Sequence, residues 1–172
     1  MKKYKTGLFI GRFQPFHLGH LSALRQGLEQ VEKIILVIGS ANQNFSLQNP
    51  LTITERMSLV KKVIVKEKLS TTIPTVIPFN DHPDNLFWLD SLIKSIPPFD
   101  VVIGNNNLVT VLTKYRNYPQ FHPKLTKREK LQGVVIRENI LKSKSWENYV
   151  PQYTLPLLKK FKLSERLRAL QG

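Results

Sequence analysis

Between Gly11 and His20 the chain reads GRFQPFHLGH. His17 and His20 stand three residues apart, Arg12 precedes them, and Gly11 and Gly19 flank them. Imidazole and guanidinium N–H groups are donors suited to phosphate oxygens. Taken singly, each histidine reads as a satisfied structural residue. Taken together, with the glycines and the arginine, they read as an anion site. Residues three apart lie on the same side of a helix turn, so both rings can address one phosphate group.

Such a cluster needs elements to hold it. The five residues up to Ile10 read as a buried strand, and from Leu18 onward Leu21, Leu24, Leu28 and Val31 recur at the spacing of one helix face. The histidines therefore open a helix that follows a strand. Exposed N–H groups and the dipole at that helix start make an anion site before any side chain is counted. Farther along, Lys33 to Gly39 (KIILVIG) reads as a strand covered on both faces. The polar stretch after it should border the site, because open α/β sheets bind ligands at the carboxyl ends of their strands.

Thr52 or Thr54 is expected to cap a helix carrying Met57, Val60 and Val63. Ile73 to Phe79 reads as a third strand whose two prolines place it at a sheet edge or at strand ends. Asp81, Asp84 and Asn85 follow, then a helix with Leu86, Leu89, Leu92, Ile93 and Ile96 that Pro97-Pro98 ends. Phe99 to Gly104 is the fourth strand, with Asn105 or Asn106 capping the helix of Leu108, Val111 and Leu112. Near the end, a helix is expected from Val150-Pro151 through Leu155, Leu158 and Phe161, kinked by Pro156, and a short last one from the cap Ser164. Strands alternating with helices imply a Rossmann-like, doubly wound parallel α/β sheet. GRFQPFHLGH carries histidines where the Gly-x-Gly-x-x-Gly fingerprint of dinucleotide-binding dehydrogenases needs glycines.

The whole chain bounds the reading. With 172 residues and 41% hydrophobic composition, one domain spanning 1–172 is expected, with C-terminal helices from about 150 packing on it. No apolar run approaches the roughly 18 residues of a membrane span, and the N-terminal apolar stretch is too short for a secretory leader. Cysteine is absent, which excludes disulfides and thiolate metal sites. A cytoplasmic enzyme fits these features. Twenty-six Lys and Arg against twelve Asp and Glu give a net charge of +14. That excess suits nucleic acid, an anionic membrane or phosphorylated small molecules. The basic residues are dispersed and no nucleic-acid motif accompanies them, so nucleic-acid binding is not expected as the main function.

GRFQPFHLGH closely resembles the first signature of the nucleotidyltransferase superfamily, and in this ten-residue form it looks like the archaeal-type nicotinamide mononucleotide adenylyltransferases. The resemblance extends almost to the C-terminus. It implies transfer of an adenylyl group from ATP to the phosphate of nicotinamide mononucleotide (NMN), giving NAD and pyrophosphate. It also implies catalytic roles for His17, His20, Arg12 and Arg137. The donor nucleotide would meet Gly11, Arg12, Phe13, His20, Gly104, Asn105, Gln132, Gly133 and Arg137. The acceptor would meet Gly39 and Ser40 of GSANQ, together with Asn85 and Trp88. A lone tryptophan near a helix start is usually core; the resemblance instead has Trp88 stacking on the nicotinamide ring and Asn85 meeting its carboxamide. Mg2+ is expected to ride on the substrate phosphates, with no protein metal ligands, and a homo-oligomer is expected.

Two departures stand out. Gln48 occupies a place where the resembled family often has a phosphate-binding arginine, which would then be supplied elsewhere. The second signature, Ser-Gly-Thr-x-x-Arg in that family, reads Gln132-Gly133-Val134 and then Arg137 here, with Lys127, Arg128 and Lys130 nearby. Valine offers neither a phosphate contact nor a cap. Two alternatives follow: another phosphorylated acceptor or CTP as donor, and a nucleotide- or RNA-binding relative that has lost turnover.

Overall fold

The computed structural model describes residues 1–124 and 129–172. Its centre is a parallel five-stranded sheet: β1 (Tyr4–Gly11), β2 (Val31–Ile38), β3 (Thr75–Pro78), β4 (Val101–Ile103) and β5 (Gln120–Phe121), in the order β3-β2-β1-β4-β5. Helices α1 (Leu18–Gln30), α2 (Ile53–Lys66), α3 (Asn85–Ser95) and α4 (Asn107–Tyr115) alternate with the strands. Three more follow: α5 (Gly133–Leu141), α6 (Leu155–Lys160) and α7 (Leu163–Gln171).

The near-continuous apolar run of β2 has the reason anticipated for it. Ile34, Leu36 and Ile38 pack on one side with Leu21 and Leu24 of α1 and Val60 and Val63 of α2. Ile35 and Val37 pack on the other with Leu92 of α3 and, at its margin, Val109 of α4. Alternate side chains of a strand face opposite ways, so a strand covered on both faces must be apolar throughout. A third cluster joins Leu51 and Leu59 to Ile136 and Ile140 of α5 and to Leu158, Leu163 and Leu167 of the last helices. Arg166 of α7 fastens this layer by a two-pronged pair with Glu55 at 2.7 and 2.8 Å and by a bond to the Pro50 carbonyl at 2.9 Å. Glu55 in turn completes a capping box with Thr52 at the start of α2.

Several local expectations shift. Val31 belongs to β2 rather than to the α1 face, because the chain passes from helix into strand with no intervening loop. β3 is shorter than Ile73 to Phe79, and it is an edge strand, as its prolines require. Asn106, not Asn105, caps α4. β5 is additional to the four expected strands; two residues carry no readable periodicity. The segment after Val150 forms short 3-10 turns before α6, and Pro156 sits in the first turn of α6, where its missing N–H costs little, so it is no kink. α7 starts at Leu163 after a left-handed Lys162, which puts Ser164 inside the helix rather than at its cap. Among the described residues no helix is long and apolar enough to cross a membrane.

Candidate active site

In this strand order, β1 lies between β2 and β4, so successive connections leave it toward opposite edges of the sheet. A crevice opens at such a switch point, at the carboxyl ends of the strands. Here it is a cavity of about 380 Å³, lined by the β1–α1 turn, the end of β4 and the first turn of α5. Of the donor-side residues named from the sequence, Gly11, Arg12, Phe13, His17, His20, Gly104, Asn105, Gln132, Gly133 and Arg137 all line it.

The turn is built on aromatic packing. Phe13 and Phe16 are buried and stacked with ring centres 5.5 Å apart, and Phe13 meets the His20 ring edge-on at 4.8 Å. On this floor the two histidines cap α1 reciprocally. The His20 backbone N–H donates to His17 Nδ1 at 3.3 Å, and the His17 backbone N–H donates to His20 Nδ1 at 3.2 Å. Their rings stack at 3.6 Å. This is a capping box made of imidazoles. Because each Nδ1 accepts, each neutral ring must carry its proton on Nε2, leaving that N–H to donate to a ligand.

Electrostatics keeps the rings neutral. Burial, with the Arg137 charge second, lowers the His17 pKa to about 4. Burial, with His17 second, holds His20 well below the usual histidine value. Since the folded pKa of His17 lies below its unfolded value near 6.5, the unfolded chain binds the extra proton first. His17 therefore contributes full stability above pH ~6.5, loses it as pH falls toward ~4, and changes nothing further below that. An imidazole NMR titration should keep the His17 carbon resonance on its neutral, Nε2–H value from pH 8 to about 5.5, with a midpoint near 4. A midpoint at 6 or above would remove the neutral-donor assignment.

The second wall is α5. Arg137 is largely buried and donates from Nη1 to the Gln14 carbonyl at 2.7 Å, which locks α5 onto the β1–α1 turn. Burial and the neighbouring Arg12 lower its pKa to about 10, so it remains cationic at neutral pH. Close approach of the two helix starts demands glycine at Gly19 and leaves little room for more at Gly133. A Cβ on Gly133 would stand 3.1 Å from the Gln14 carbonyl oxygen, and one on Gly19 would stand 2.7 Å from the Leu131 carbonyl oxygen. Gln132 precedes α5 without a side-chain capping bond, and Val134, 47% exposed, faces the cavity where the resembled signature has threonine. The first-turn N–H groups of α5 thus keep no hydroxyl acceptor from that position. Lys127 and Arg128 lie outside the described residues, and Lys130 is exposed.

Residues whose part the sequence did not reveal complete the walls. Gln14 pairs with the Leu51 backbone through both its amide atoms, at 2.8 and 2.9 Å, as a strand neighbour would. Lys124 lines the cavity, and Gln26 grips its backbone on both sides at 2.8 and 3.1 Å. Asn105 donates to the Pro123 carbonyl at 2.8 Å, which ties the β4 end to this segment. Arg12, Lys124 and Arg137 give the lining three basic side chains, and no Asp or Glu stands among its described residues.

The acceptor-side residues are not in this cavity. Gly39 and Ser40 are buried at the end of β2, next to the β1 end, with Gly39 N–H donating to Gly11 O at 3.0 Å. Asn85 is exposed at the start of α3. Trp88 is partly buried, packs edge-on against Phe79, and donates from Nε1 to the Asn80 carbonyl at 3.1 Å. The loops after β2 and β3 are tied together through Asn42 and the Asp81 backbone at 2.9 Å. These residues form a second flank beside the cavity, on the β2 and β3 side.

A His-x-Gly-His turn at the switch point of a parallel sheet, facing cations and a second helix start, defines a nucleotidyltransferase. The cytidylyltransferase-like family model matches residues 8–150. Nicotinamide-nucleotide adenylyltransferases of Archaeoglobus fulgidus and Thermococcus kodakarensis are 36% and 33% identical to this chain, covering 95% and 96% of it and 96% and 88% of their own lengths. That of Ignicoccus hospitalis is 35% identical over 95% of this chain and 96% of its own. The chain belongs to the nicotinamide-nucleotide adenylyltransferase family. The same fold recurs in a bifunctional NMN adenylyltransferase/ADP ribose pyrophosphatase of Francisella tularensis complexed with AMP and a manganese ion. That structure has a TM-score of 0.77 at 20% identity, covering 96% of this chain and 52% of the larger one.

Proposed function

We propose that this protein joins ATP and NMN to give NAD and pyrophosphate. The observation that carries the chemistry is the imidazole capping box, which presents two neutral Nε2–H donors in a cavity with three cations. The identity of the relatives supports the substrates.

The acceptor phosphate oxygen forms a bond to the α-phosphorus of ATP as the bond from that phosphorus to the α–β bridging oxygen breaks. An ionised phosphate is already a nucleophile, so the protein need remove no proton. Its task is to align the two phosphates and to stabilise charge that builds on the transferring group and on pyrophosphate. His17 and His20 donate from Nε2 to those oxygens. Arg12 and Arg137 hold the triphosphate, with the backbone of Gly11 and Phe13 beneath and the Gln132-Gly133 helix start opposite. Gly104 and Asn105 border the adenosine. Gly39 and Ser40 border the acceptor, Asn85 meets its carboxamide, and Trp88 stacks on its pyridine ring.

Mg2+ fits this lining as a cation carried by the substrate. The donor set offers imidazole and cationic groups, and among the described residues no group of three or more His, Cys, Asp or Glu could hold a metal ion. When bound on the phosphate oxygens, it supplies additional charge neutralisation. Self-association is part of this reading, and Leu108, Val111 and Tyr115 leave an exposed apolar stripe on α4 for it. Sedimentation showing only monomer across micromolar concentrations would remove it. A cytoplasmic setting fits both substrates.

NAD formation from ATP, Mg2+ and NMN, read through a coupled dehydrogenase, tests the reading. Turnover only with another phosphorylated acceptor or with CTP would overturn the substrate assignment. No turnover with any would favour a binding protein. On the acceptor side, Trp88→Ala is expected to raise the KM for NMN by roughly tenfold, as loss of one stacked aromatic can, and to leave that for ATP nearly unchanged. Equal changes in both would return Trp88 to a packing role.

A further inference from the structure

Arg56 sits on the apolar face of α2, in phase with Leu59, Val60 and Val63, and none of its surface reaches solvent. A buried guanidinium is tolerated only where its N–H groups find acceptors. Nη1 donates to the carbonyls of Gly39 at 2.7 Å and Arg12 at 3.1 Å. Nη2 donates to those of Ser40 at 2.8 Å and Gln43 at 3.4 Å. No carboxylate shares these contacts among the described residues. Burial lowers the pKa to about 10, with the Asp81 charge opposing and the Arg12 charge reinforcing that shift, so the group stays cationic.

These carbonyls belong to the two strand ends that the reaction must bring together. Arg12 opens the turn that carries the histidines; Gly39 and Ser40 open the loop after β2. In a trans peptide the C=O and the following N–H point in opposite directions. Drawing the Arg12 and Gly39 carbonyls onto one guanidinium therefore turns the Phe13 and Ser40 N–H groups away from it. Those same two residues are left-handed, with φ of 54° and 51°. That conformation disfavours side chains other than glycine and persists only where its surroundings enforce it.

We infer that Arg56 is a positioning residue for the reaction, a buried fork that fixes the donor turn relative to the acceptor loop through their backbone carbonyls. The inference rests on the function proposed above. Displacing reacting groups by about 1 Å can cost on the order of a hundredfold in rate. Arg56→Lys keeps the charge and loses the fork. Its kcat should fall by roughly tenfold to a hundredfold at a temperature where circular dichroism shows it fully folded, and the KM values for ATP and NMN should move together. A lower Tm with kcat and both KM values within about twofold of wild type would make Arg56 purely structural and overturn the inference. A readout on the intact protein stands beside it. Among the described residues Arg56 Nε–H is buried with no hydrogen-bond partner, which makes its NMR signal a local probe. That signal should shift when a non-hydrolysable ATP analogue is added alone and when NMN is added alone; movement with one or neither overturns the coupling. Wild-type protein that makes no NAD would sink the proposed function instead, and that outcome is read in a separate assay.

Discussion

Replacing His20 with alanine should lower the rate of NAD formation by on the order of a hundredfold or more, the loss seen when one preorganised transition-state donor is removed. His20 Nδ1 accepts the His17 N–H, and in the proposed reaction its Nε2–H meets the phosphates, so the substitution would remove a ligand contact and half of a helix cap at once. The cap alone is worth about 1 kcal/mol of stability. His20→Asn separates the two effects, because its side-chain oxygen can still accept the His17 N–H while its amide cannot reach where Nε2 stood. That variant should regain stability and remain slow. Turnover within about threefold of wild type in His20→Ala would remove the histidine from the chemistry and leave it as a capping residue.

The sequence exposes the donor turn because its chemistry and its fold use the same residues. Gly11, Arg12, His17, Gly19 and His20 fall within ten consecutive residues, so spacing alone brings them together, and the strand and helix that carry them have clear periodicities. The wall opposite is harder to read. Arg137 reaches the turn across 123 positions of sequence to donate to the Gln14 carbonyl. Only the family resemblance pointed to it, since no local pattern brings α5 onto α1.

Arg56 shows the opposite case. An arginine in step with Leu59, Val60 and Val63 is a visible breach of an apolar face, and such a breach marks a buried charge with backbone partners. Gln14 carried a subtler signal within the motif itself, a long polar side chain between Phe13 and Pro15. Lys124 gave none, because its place in the cavity depends on Gln26 gripping its backbone, a contact spanning 98 positions. β5 and the short C-terminal turns are too short to show a periodicity, and a first-turn proline such as Pro156 looks like a kinking one until the helix start is known.

Arg137→Ala should be at least as damaging as loss of His20, lowering kcat/KM for ATP by roughly a hundredfold to a thousandfold. The guanidinium is largely buried in a lining whose described residues include no carboxylate, and in the proposed reaction its charge is met by the substrate phosphates. On that reading its weight should be greater here than in a site with the resembled second signature. Gln132 and Val134 bring no hydroxyl to the α5 start, so in the proposed reaction this wall would meet the phosphates through its backbone N–H groups and Arg137. Arg137→Lys keeps the charge but loses either the bond to the Gln14 carbonyl or the ligand contact, since one ammonium cannot span both as a planar fork does. It should recover only part of the loss, and the KM for NMN should change little in either variant. If Val134→Thr introduced into Arg137→Ala restored ATP use to near wild type, the hydroxyl and the guanidinium would be interchangeable phosphate donors. If the threonine instead left the double variant as slow as Arg137→Ala, charge rather than hydrogen bonding would be what the departing pyrophosphate requires.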